Sequence, residues 1–261
     1  MRETVKRGLA IIPGGRPTGA TLLIYHRVGG RSRDELDVSI DQFRGHLDAL
    51  TDRSVTSLDD AVDALDRGDD EHRVVLTFDD GFGDVYEHAW PLLRERGLPF
   101  TIYLTTAYVG GEMRWEGSTA REQGAPALKW DQLHEMVDSG LCTIGNHTHS
   151  HVRPEKLTAE ELDRCSELVE QELGVVPRHF AYTWGIPVPS MDPQLRERFA
   201  TCATGAIGRN PPGGDPLRLS RVPVRRTDPP SFFRAKLRGD LAAERLYQRV
   251  VEAAKGVGLR G

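Results

Sequence analysis

Residues 74–84 read Val-Val-Leu-Thr-Phe-Asp-Asp-Gly-Phe-Gly-Asp, which predicts an apolar strand that ends in two adjacent carboxylates, Asp79 and Asp80. On their own, paired aspartates at a strand end are also typical of a helix N-cap. A second carboxylate beside a metal ligand is, however, well placed to act as a base on metal-bound water. This stretch alone therefore fits either a helix N-cap or a metal ligand with an adjacent base.

The partner motif is the stretch 145–151, Gly-Asn-His-Thr-His-Ser-His, with two imidazoles four residues apart, His147 and His151. Such spacing also occurs by chance in exposed loops. One carboxylate and two neutral imidazoles nevertheless form a common facial ligand set for a divalent metal, with positions left for water and substrate. The joint occurrence of the two stretches favours a metal site.

Thr-Phe-Asp-Asp-Gly followed by Asn-His-Thr-x-Ser-His closely resembles the polysaccharide deacetylase family (carbohydrate esterase family 4, the NodB-homology domain). The resemblance runs from about residue 20 to about residue 240. It also includes Leu-Ile-Tyr-His-Arg-Val at 23–28, Trp-Asp-Gln-Leu at 130–133, His-Phe-Ala-Tyr-Thr-Trp-Gly at 179–185 and Leu-Ser-Arg-Val-Pro-Val at 219–224.

Short apolar runs alternate with helical patterns along the chain, which indicates an α/β protein with parallel strands and helices outside. Seven strands suit the irregular (β/α)7-type barrel that the resemblance also implies. We expect a single catalytic domain over 20–261, preceded by an N-terminal extension over 1–19. Strands are predicted at 21–27, 74–79, 100–106, 142–146, 179–183, 200–204 and 217–224. Helices are predicted at about 40–52, 57–67, 83–97, 130–139, 158–173, 192–199 and 240–256.

The resemblance implies that Asp79 is the general base and that Asp80, His147 and His151 hold the metal. Zinc is the default ion, and cobalt, nickel, manganese or iron would also suit an Asp-His-His site. Asn146 is expected to fix the turn before the ligands through its side-chain amide.

The segment at 181–184 matches the place where family members shape the acyl pocket, with the Trp184 N–H helping to hold the oxyanion and Tyr182 beside it. It reads Ala-Tyr-Thr-Trp, where many members carry Arg-Pro-Pro-Tyr, so the arginine that orients the base is missing. Arg221, near the end of the last predicted strand, is a surrogate for it; the alternative is an ordinary surface ion pair. Trp115 lies in a long loop that could overhang the site.

Many relatives place a histidine near the C-terminus to protonate the leaving amine. Here no histidine follows His179. His26, at the end of the first predicted strand, is the best replacement as general acid, although a packing role at the barrel rim is the alternative. An alternating register would turn His149 away from the metal, into a supporting role.

Composition sets further limits. The net charge of −5, with acids and bases interspersed, does not suggest a nucleic-acid partner. Three widely spaced cysteines, Cys142, Cys165 and Cys202, have no metal-site spacing and indicate a reducing compartment. The first 13 residues hold only a short apolar run, and no stretch approaches a membrane span, so we expect a cytoplasmic protein.

The sequence therefore predicts a metal-dependent hydrolase that removes N-acetyl groups from an amino-sugar-containing glycan or glycoconjugate. An O-acetyl ester, a formamide, or a small amide or imide is the alternative substrate on the same scaffold. A glycan-binding protein without catalysis is a further rival, but such a protein has little need for the base Asp79. The oligomeric state is left open.

Overall fold

The computed structural model describes residues 18–118, 124–238, 241–242 and 244–247, together with Lys6. The strands in these ranges are β1 (Ala20–Tyr25), β2 (Arg27–Val28), β3 (Asp37–Val38), β4 (Ser54–Val55), β5 (Arg73–Asp80), β6 (Phe100–Leu104), β7 (Cys142–Asn146), β8 (His179–Ala181), β9 (Thr201–Ala203) and β10 (Arg221–Pro223). The α-helices are α1 (Ile40–Asp48), α2 (Leu58–Asp66), α3 (Trp90–Glu95), α4 (Trp130–Asp138), α5 (Ala159–Leu173), α6 (Asp192–Arg198) and α7 (Pro230–Leu237).

Seven strands form one parallel path in the order β10-β1-β5-β6-β7-β8-β9, and β4 adds to β5 from outside this path. The sheet nearly closes because Ala203 of β9 forms a parallel bridge with Leu219, two residues before β10. The irregular (β/α)7-type barrel and its seven predicted strands are therefore confirmed. The carboxyl ends of all seven strands meet at one face, where barrel enzymes collect their chemistry.

Both faces of the sheet are covered, as is usual for parallel strands. All six residues of β1 are buried, and so are seven of the eight in β5. One apolar cluster fills the space between sheet and helices, including Phe43, Phe78 and Leu133. A second cluster joins strand residues such as Leu22, Val75 and Ala181 to Leu58 of helix α2.

The helices begin and end close to the predicted positions, with two exceptions. The helix predicted at 83–97 begins with a π-helical turn at Val85–Ala89 before α3. Helix α7 was not predicted, because its Pro229-Pro230 start was not recognised as a helix opening, although proline is well tolerated in the first turn.

The predicted helix at 240–256 and the extension at 1–19 lie largely outside the described residues. No helix in the described ranges is long and apolar enough to cross a membrane.

Five charged side chains, four of them buried and Arg225 partly exposed, form what we call the terminal cluster, which joins the two ends of the described chain. Lys6 and Lys236 each place Nζ 2.6 Å from a carboxylate oxygen of Asp228. Glu244 pairs with Lys236 at 3.0 Å and also with Arg225. Burial alone would raise the pKa of Asp228, but the two lysines outweigh it and bring this pKa to about 2. Asp228 therefore stays ionised and ties Lys6 to Lys236 of helix α7.

Candidate active site

Asp79 and Asp80 lie at the carboxyl end of β5, and both are buried and line the same cavity. In a regular strand, adjacent side chains point to opposite faces. Here the backbone leaves the strand conformation, with φ of 76° at Asp80 and 97° at Gly81. A Cβ atom on Gly81 would lie 2.6 Å from Cδ1 of Leu104, so both the turn and the packing require glycine. This left-handed turn brings both carboxylates to the mouth of the barrel.

Asp80, His147 and His151 form one compact buried group. Oδ1 of Asp80 lies 3.3 Å from Nε2 of His147 and 3.3 Å from Nε2 of His151. Their candidate ligand atoms all lie within 4.8 Å of one another. This is the ligand set that the two motifs predict, and it suits a divalent metal ion.

The hydrogen bonding of these three residues tests whether a metal fits. His147 Nδ1 lies 2.8 Å from the Ala181 carbonyl oxygen, and donation to it leaves a lone pair on Nε2 of the neutral ring. That lone pair faces Oδ1 of Asp80, which is itself buried without a hydrogen-bond partner in the described structure. Two electron-rich atoms facing each other at this distance repel unless a cation lies between them. The residues present therefore fit a metal ion.

Left-handed backbone is concentrated at the site. Asp80, Thr148, His151 and Trp184 are the non-glycine residues with positive φ in the described ranges, at 53–76°. Such conformations cost free energy and persist where surrounding structure enforces them, often at functional sites. Asn146 is part of that enforcement, because its side-chain oxygen accepts from the Thr148 N–H at 2.9 Å. The prediction that this amide fixes the turn is confirmed.

The loop between the two histidines is also tied to helix α5. Thr158 caps that helix by accepting from the Glu161 N–H. The Glu161 carboxylate does not reach back to the cap and instead accepts from the N–H and the hydroxyl of Ser150, each at 2.8 Å. Sequence reasoning did not identify Glu161 as a support of the ligand loop.

Arg221 binds the predicted base directly: its Nη1 donates to Oδ1 of Asp79 at 2.6 Å, and its Nε donates to the Thr204 carbonyl. Arg221 is only 1% exposed, so the alternative of a surface ion pair is wrong. Its position also differs from the prediction, because Arg221 begins β10, opposite Leu22 in the middle of β1. The guanidinium therefore approaches Asp79 from inside the barrel.

The environment of Asp79 keeps its carboxylate ionised. Burial alone would raise the pKa of Asp79, but the positive charge of Arg221 and its hydrogen bond to the carboxylate outweigh burial and lower it. The Arg221 guanidinium lies over the Tyr103 ring, with its Cζ atom 5.4 Å from the centroid of that ring. Asp79 is therefore a buried, oriented carboxylate beside the candidate metal site.

A cavity of about 380 Å³ opens over these residues. His26 lines it, and the ring Nδ1 of His26 is buried without a hydrogen-bond partner in the described structure. Trp115 and Trp184 also line it, on the side of His151. The structure thus gathers the predicted base, the candidate acid, the ligand set and both tryptophans around one space.

Two predicted residues lie elsewhere. The Tyr182 ring is buried against Phe180, and its hydroxyl accepts from Arg218 at 2.9 Å, so the ring does not line the described cavity. The Tyr182 ring therefore packs within the fold and does not take the pocket position that the resemblance implied. His149 turns away from Asp80, as expected, and bonds to Thr106 and Arg164.

Two arginines at the cavity were not predicted. Arg27 lies over the Phe82 ring, 5.1 Å from its centroid, and Nε donates to Asp84 at 2.8 Å. Burial, partly offset by Arg27, raises the pKa of Asp84 to about 6. Arg225 lines the same cavity and bonds to Glu244 of the terminal cluster. Arg27 directly follows His26 just after the end of β1, and this position in the sequence could have predicted that Arg27 lies at the cavity.

The family model of polysaccharide deacetylases matches residues 66–197, half of the chain. This chain belongs to the polysaccharide deacetylase family. The structure of IcaB from Ammonifex degensii is 32% identical, with a TM-score of 0.73, over 86% of this chain and 98% of that one. The fold also resembles that of Streptococcus pyogenes PplD, solved with acetate, at 21% identity and a TM-score of 0.69, over 84% and 97% of the two chains.

Curated relatives match in part. Bacillus subtilis YxkH is 27% identical over 150 residues, 56% of this chain and 48% of that protein. The poly-β-1,6-N-acetyl-D-glucosamine N-deacetylase of Staphylococcus epidermidis is 23% identical over 172 residues, 59% and 57% of the two chains. The chain thus spans about half the length of these curated relatives.

Proposed function

We propose that this polysaccharide deacetylase hydrolyses N-acetyl groups of an amino-sugar-containing glycan or glycoconjugate, with a divalent metal ion held by Asp80, His147 and His151. The observation that carries the proposal is a division of labour between the two adjacent aspartates. Asp80 faces both imidazoles, whereas Asp79 faces Arg221. A site for binding alone would not need the second, separately oriented carboxylate.

A divalent ion at this site would polarise the acetyl carbonyl and lower the pKa of a bound water molecule. Asp79 would accept the proton of the attacking water molecule. Arg221 holds Asp79 in its ionised form and fixes one of its oxygens, which leaves the other to face the water. The arginine that orients the base thus comes from β10 in this chain.

Two further groups complete the reaction. The Trp184 N–H, held by the left-handed turn at that residue, would donate to the carbonyl oxygen as negative charge develops on it. His26 would protonate the departing amine. Support for this role is its place on the cavity wall and its ring nitrogen without a hydrogen-bond partner in the described structure. Zinc is the ion we propose, because structural and catalytic sites with nitrogen ligands commonly use it.

The names of matched relatives support the substrate class. Several curated relatives are poly-β-1,6-N-acetyl-D-glucosamine N-deacetylases. An N-acetylglucosamine polymer or oligomer is accordingly the first substrate to test.

The decisive experiment measures acetate release by the purified protein with added zinc. Substrates are N-acetylglucosamine oligomers, an O-acetylated sugar and an N-formylated sugar. We expect release from the N-acetyl substrate by the wild-type protein and none by Asp80→Ala, which lacks a ligand. Equal release by both proteins would contradict the metal site, and release from the ester alone would contradict the substrate class.

A further inference from the structure

The two candidate ligand histidines are held in different ways. His147 is oriented by a hydrogen bond to the Ala181 carbonyl, whereas Nδ1 of His151 is buried and has no hydrogen-bond partner in the described structure. Histidine ligands usually donate their second ring N–H to an acceptor that fixes the ring. His151 therefore needs another source of orientation.

Aromatic rings surround His151. The Trp115 ring stacks on it, with centroids 4.3 Å apart and an interplanar angle of 29°. Trp184 lies 5.6 Å away at 64°, and His147 lies 5.1 Å away at 70°, both edge-on. We propose that Trp115 is a positioning residue that fixes the ring of His151 for metal binding by stacking. This inference rests on the proposed metal site.

Stacking can perform this task because of where the ligand lone pair lies. The Nε2 lone pair is in the plane of the imidazole ring, so rotation about the Cβ–Cγ bond moves it away from Asp80. That torsion is broad in histidine and is not confined to narrow wells. A tryptophan face in contact with the ring restricts the rotation sterically, and it excludes water from the same face.

Trp115 can restrain His151 only if Trp115 is itself fixed, and it is. It is 7% exposed and packs against Phe82 and Tyr108, with ring centroids 5.9 and 5.7 Å away. Met113 belongs to the same apolar cluster. The Tyr108 hydroxyl also donates to the carbonyl of Ser150, the residue before His151, at 3.3 Å. The tryptophan and the ligand loop are thus tied to the same support.

The segment that carries Trp115 also closes against Trp184. Gly117 has φ of 87°, and a Cβ atom there would lie 2.7 Å from Cη2 of Trp184. Arg153 covers a face of Trp184, 5.1 Å from the ring centroid. Both tryptophans around His151 are therefore held in place by their own contacts.

The test measures zinc affinity of the full chain by competition with a chromophoric chelator. We expect Trp115→Ala to raise the zinc Kd by about 10- to 100-fold, the usual range for losing a residue that orients a metal ligand. Trp115→Phe keeps a ring over His151 and should restore most of the affinity. Trp115→Leu keeps apolar volume without a flat ring and should restore less.

Met113→Ala is the matched control, because it shortens another buried side chain of the cluster and keeps Phe82 and Tyr108, the two rings that pack on Trp115. It should bind zinc like the wild type. A Co²⁺-substituted sample gives a second readout: the visible absorption band should change in Trp115→Ala and stay unchanged in Met113→Ala.

Three results separate the hypotheses. An unchanged Kd in Trp115→Ala, or an equal loss in Met113→Ala, would overturn the positioning role. A change in KM without a change in zinc Kd would assign Trp115 to substrate contact and also overturn it. If the wild-type protein does not bind zinc, or if Asp80→Ala binds it equally well, the result contradicts the metal site of the proposed function and not the role of Trp115 alone.

Discussion

The molecule holds two groups of mostly buried charged side chains, and they differ in how their polar atoms are paired within the chain. In the terminal cluster, Asp228 and Glu244 lie between the three cations Lys6, Arg225 and Lys236. In the candidate active site, by contrast, buried atoms of several residues have no hydrogen-bond partner in the described structure. These atoms are His26 Nδ1, Asp80 Oδ1, Thr148 Oγ1 and His151 Nδ1.

The difference separates a structural group from a functional one. A buried polar atom without a partner costs free energy, so it persists where a ligand completes it or where the surrounding fold imposes it. In the terminal cluster the buried atom without a hydrogen-bond partner in the described structure, Glu244 Oε2, lies 3.0 Å from the Lys236 ammonium, so that cluster supplies its own counter-charges. The unpartnered atoms of the candidate active site lie at or beside the candidate ligands, and they point to a cation and a substrate as their partners.

The largest effect on activity is expected at Asp79, whose carboxylate is paired with Arg221. Asp79→Asn should lower turnover by a factor on the order of 10²–10⁴, the range for losing a general base, and should retain the metal. Metal content and initial rate are measured on the same sample. If the metal is lost in proportion to activity, Asp79 is a ligand, and the division between the two aspartates fails.

Asp228→Ala should produce the largest loss of stability, because it leaves two lysines buried without their shared counter-charge. We expect the free energy of unfolding in urea to fall by about 3–5 kcal/mol. Asp48→Ala, which breaks an exposed pair with Arg96, is the control and should cost at most about 1 kcal/mol. Similar losses in the two variants would show that the terminal cluster does not stabilise the fold.

His26→Ala tests whether an unpaired nitrogen at the cavity is a proton donor. An amide needs its nitrogen protonated before expulsion, whereas an ester alkoxide leaves more readily. N-deacetylation should therefore fall by a factor on the order of 10², while hydrolysis of an activated acetate ester should fall much less. Equal loss on both substrates would return His26 to a packing role.

His46 is one source of the expected pH dependence of stability, beside His72, whose pKa burial lowers to about 4. Burial, with Asp228 opposing and Lys236 assisting, lowers the pKa of His46 to about 3, from 6.5 in an unfolded chain. The ring stacks on Phe233 and contacts the Tyr25 hydroxyl. Between these pH values the unfolded chain binds a proton that the folded protein does not, so stability present above pH 6.5 is lost as pH falls toward 3.

The measurement is the slope of unfolding free energy against pH over that interval. His46→Phe should reduce this slope by the amount that corresponds to about one bound proton, whatever its effect on the absolute free energy of unfolding. His134→Asn, at an exposed histidine of α4, should leave the slope unchanged. An unaltered slope in His46→Phe would mean that this histidine is protonated in the fold.

The smallest effect separates backbone strain from burial. Thr148 and Thr101 are both fully buried with a hydroxyl that has no partner in the described structure, but only Thr148 has positive φ. Thr101→Gly should lower the free energy of unfolding. Thr148→Gly should lower it by about 1–3 kcal/mol less, because glycine relieves the usual cost of a left-handed conformation. Equal urea midpoints would show that Thr148 stores no strain.

Most of the fold and the central residues of the site could be predicted from sequence, because both depend on local patterns. The strands follow from apolar runs, and the positions of Asp79, Asp80, His147 and His151 follow from where those runs end. Contacts between segments that are distant in the chain have no comparable local pattern in the sequence.

The distant pairings include the contact between Arg221 and Asp79, which lie 142 residues apart in sequence. Its burial depends on the register of β10 against β1. The direction of the Tyr182 ring likewise depends on Phe180 and Arg218. The left-handed backbone of Thr148 could not be read from the chain either, because a β-branched residue disfavours it.

The left-handed backbone also limits how this enzyme can be engineered. Glycine would adopt these conformations without strain at any of the four positions. At Asp80 and His151, however, the side chain is a candidate ligand, so glycine there removes the metal site. Thr148 is not one of the candidate ligands, so glycine is open there. Trp184→Gly would keep the backbone N–H that we assign to the oxyanion, but it would remove a ring that lines the cavity and lies edge-on to His151. A more heat-resistant version therefore has one of its four strained positions, Thr148, open to change, and the other three are fixed by the chemistry of the site.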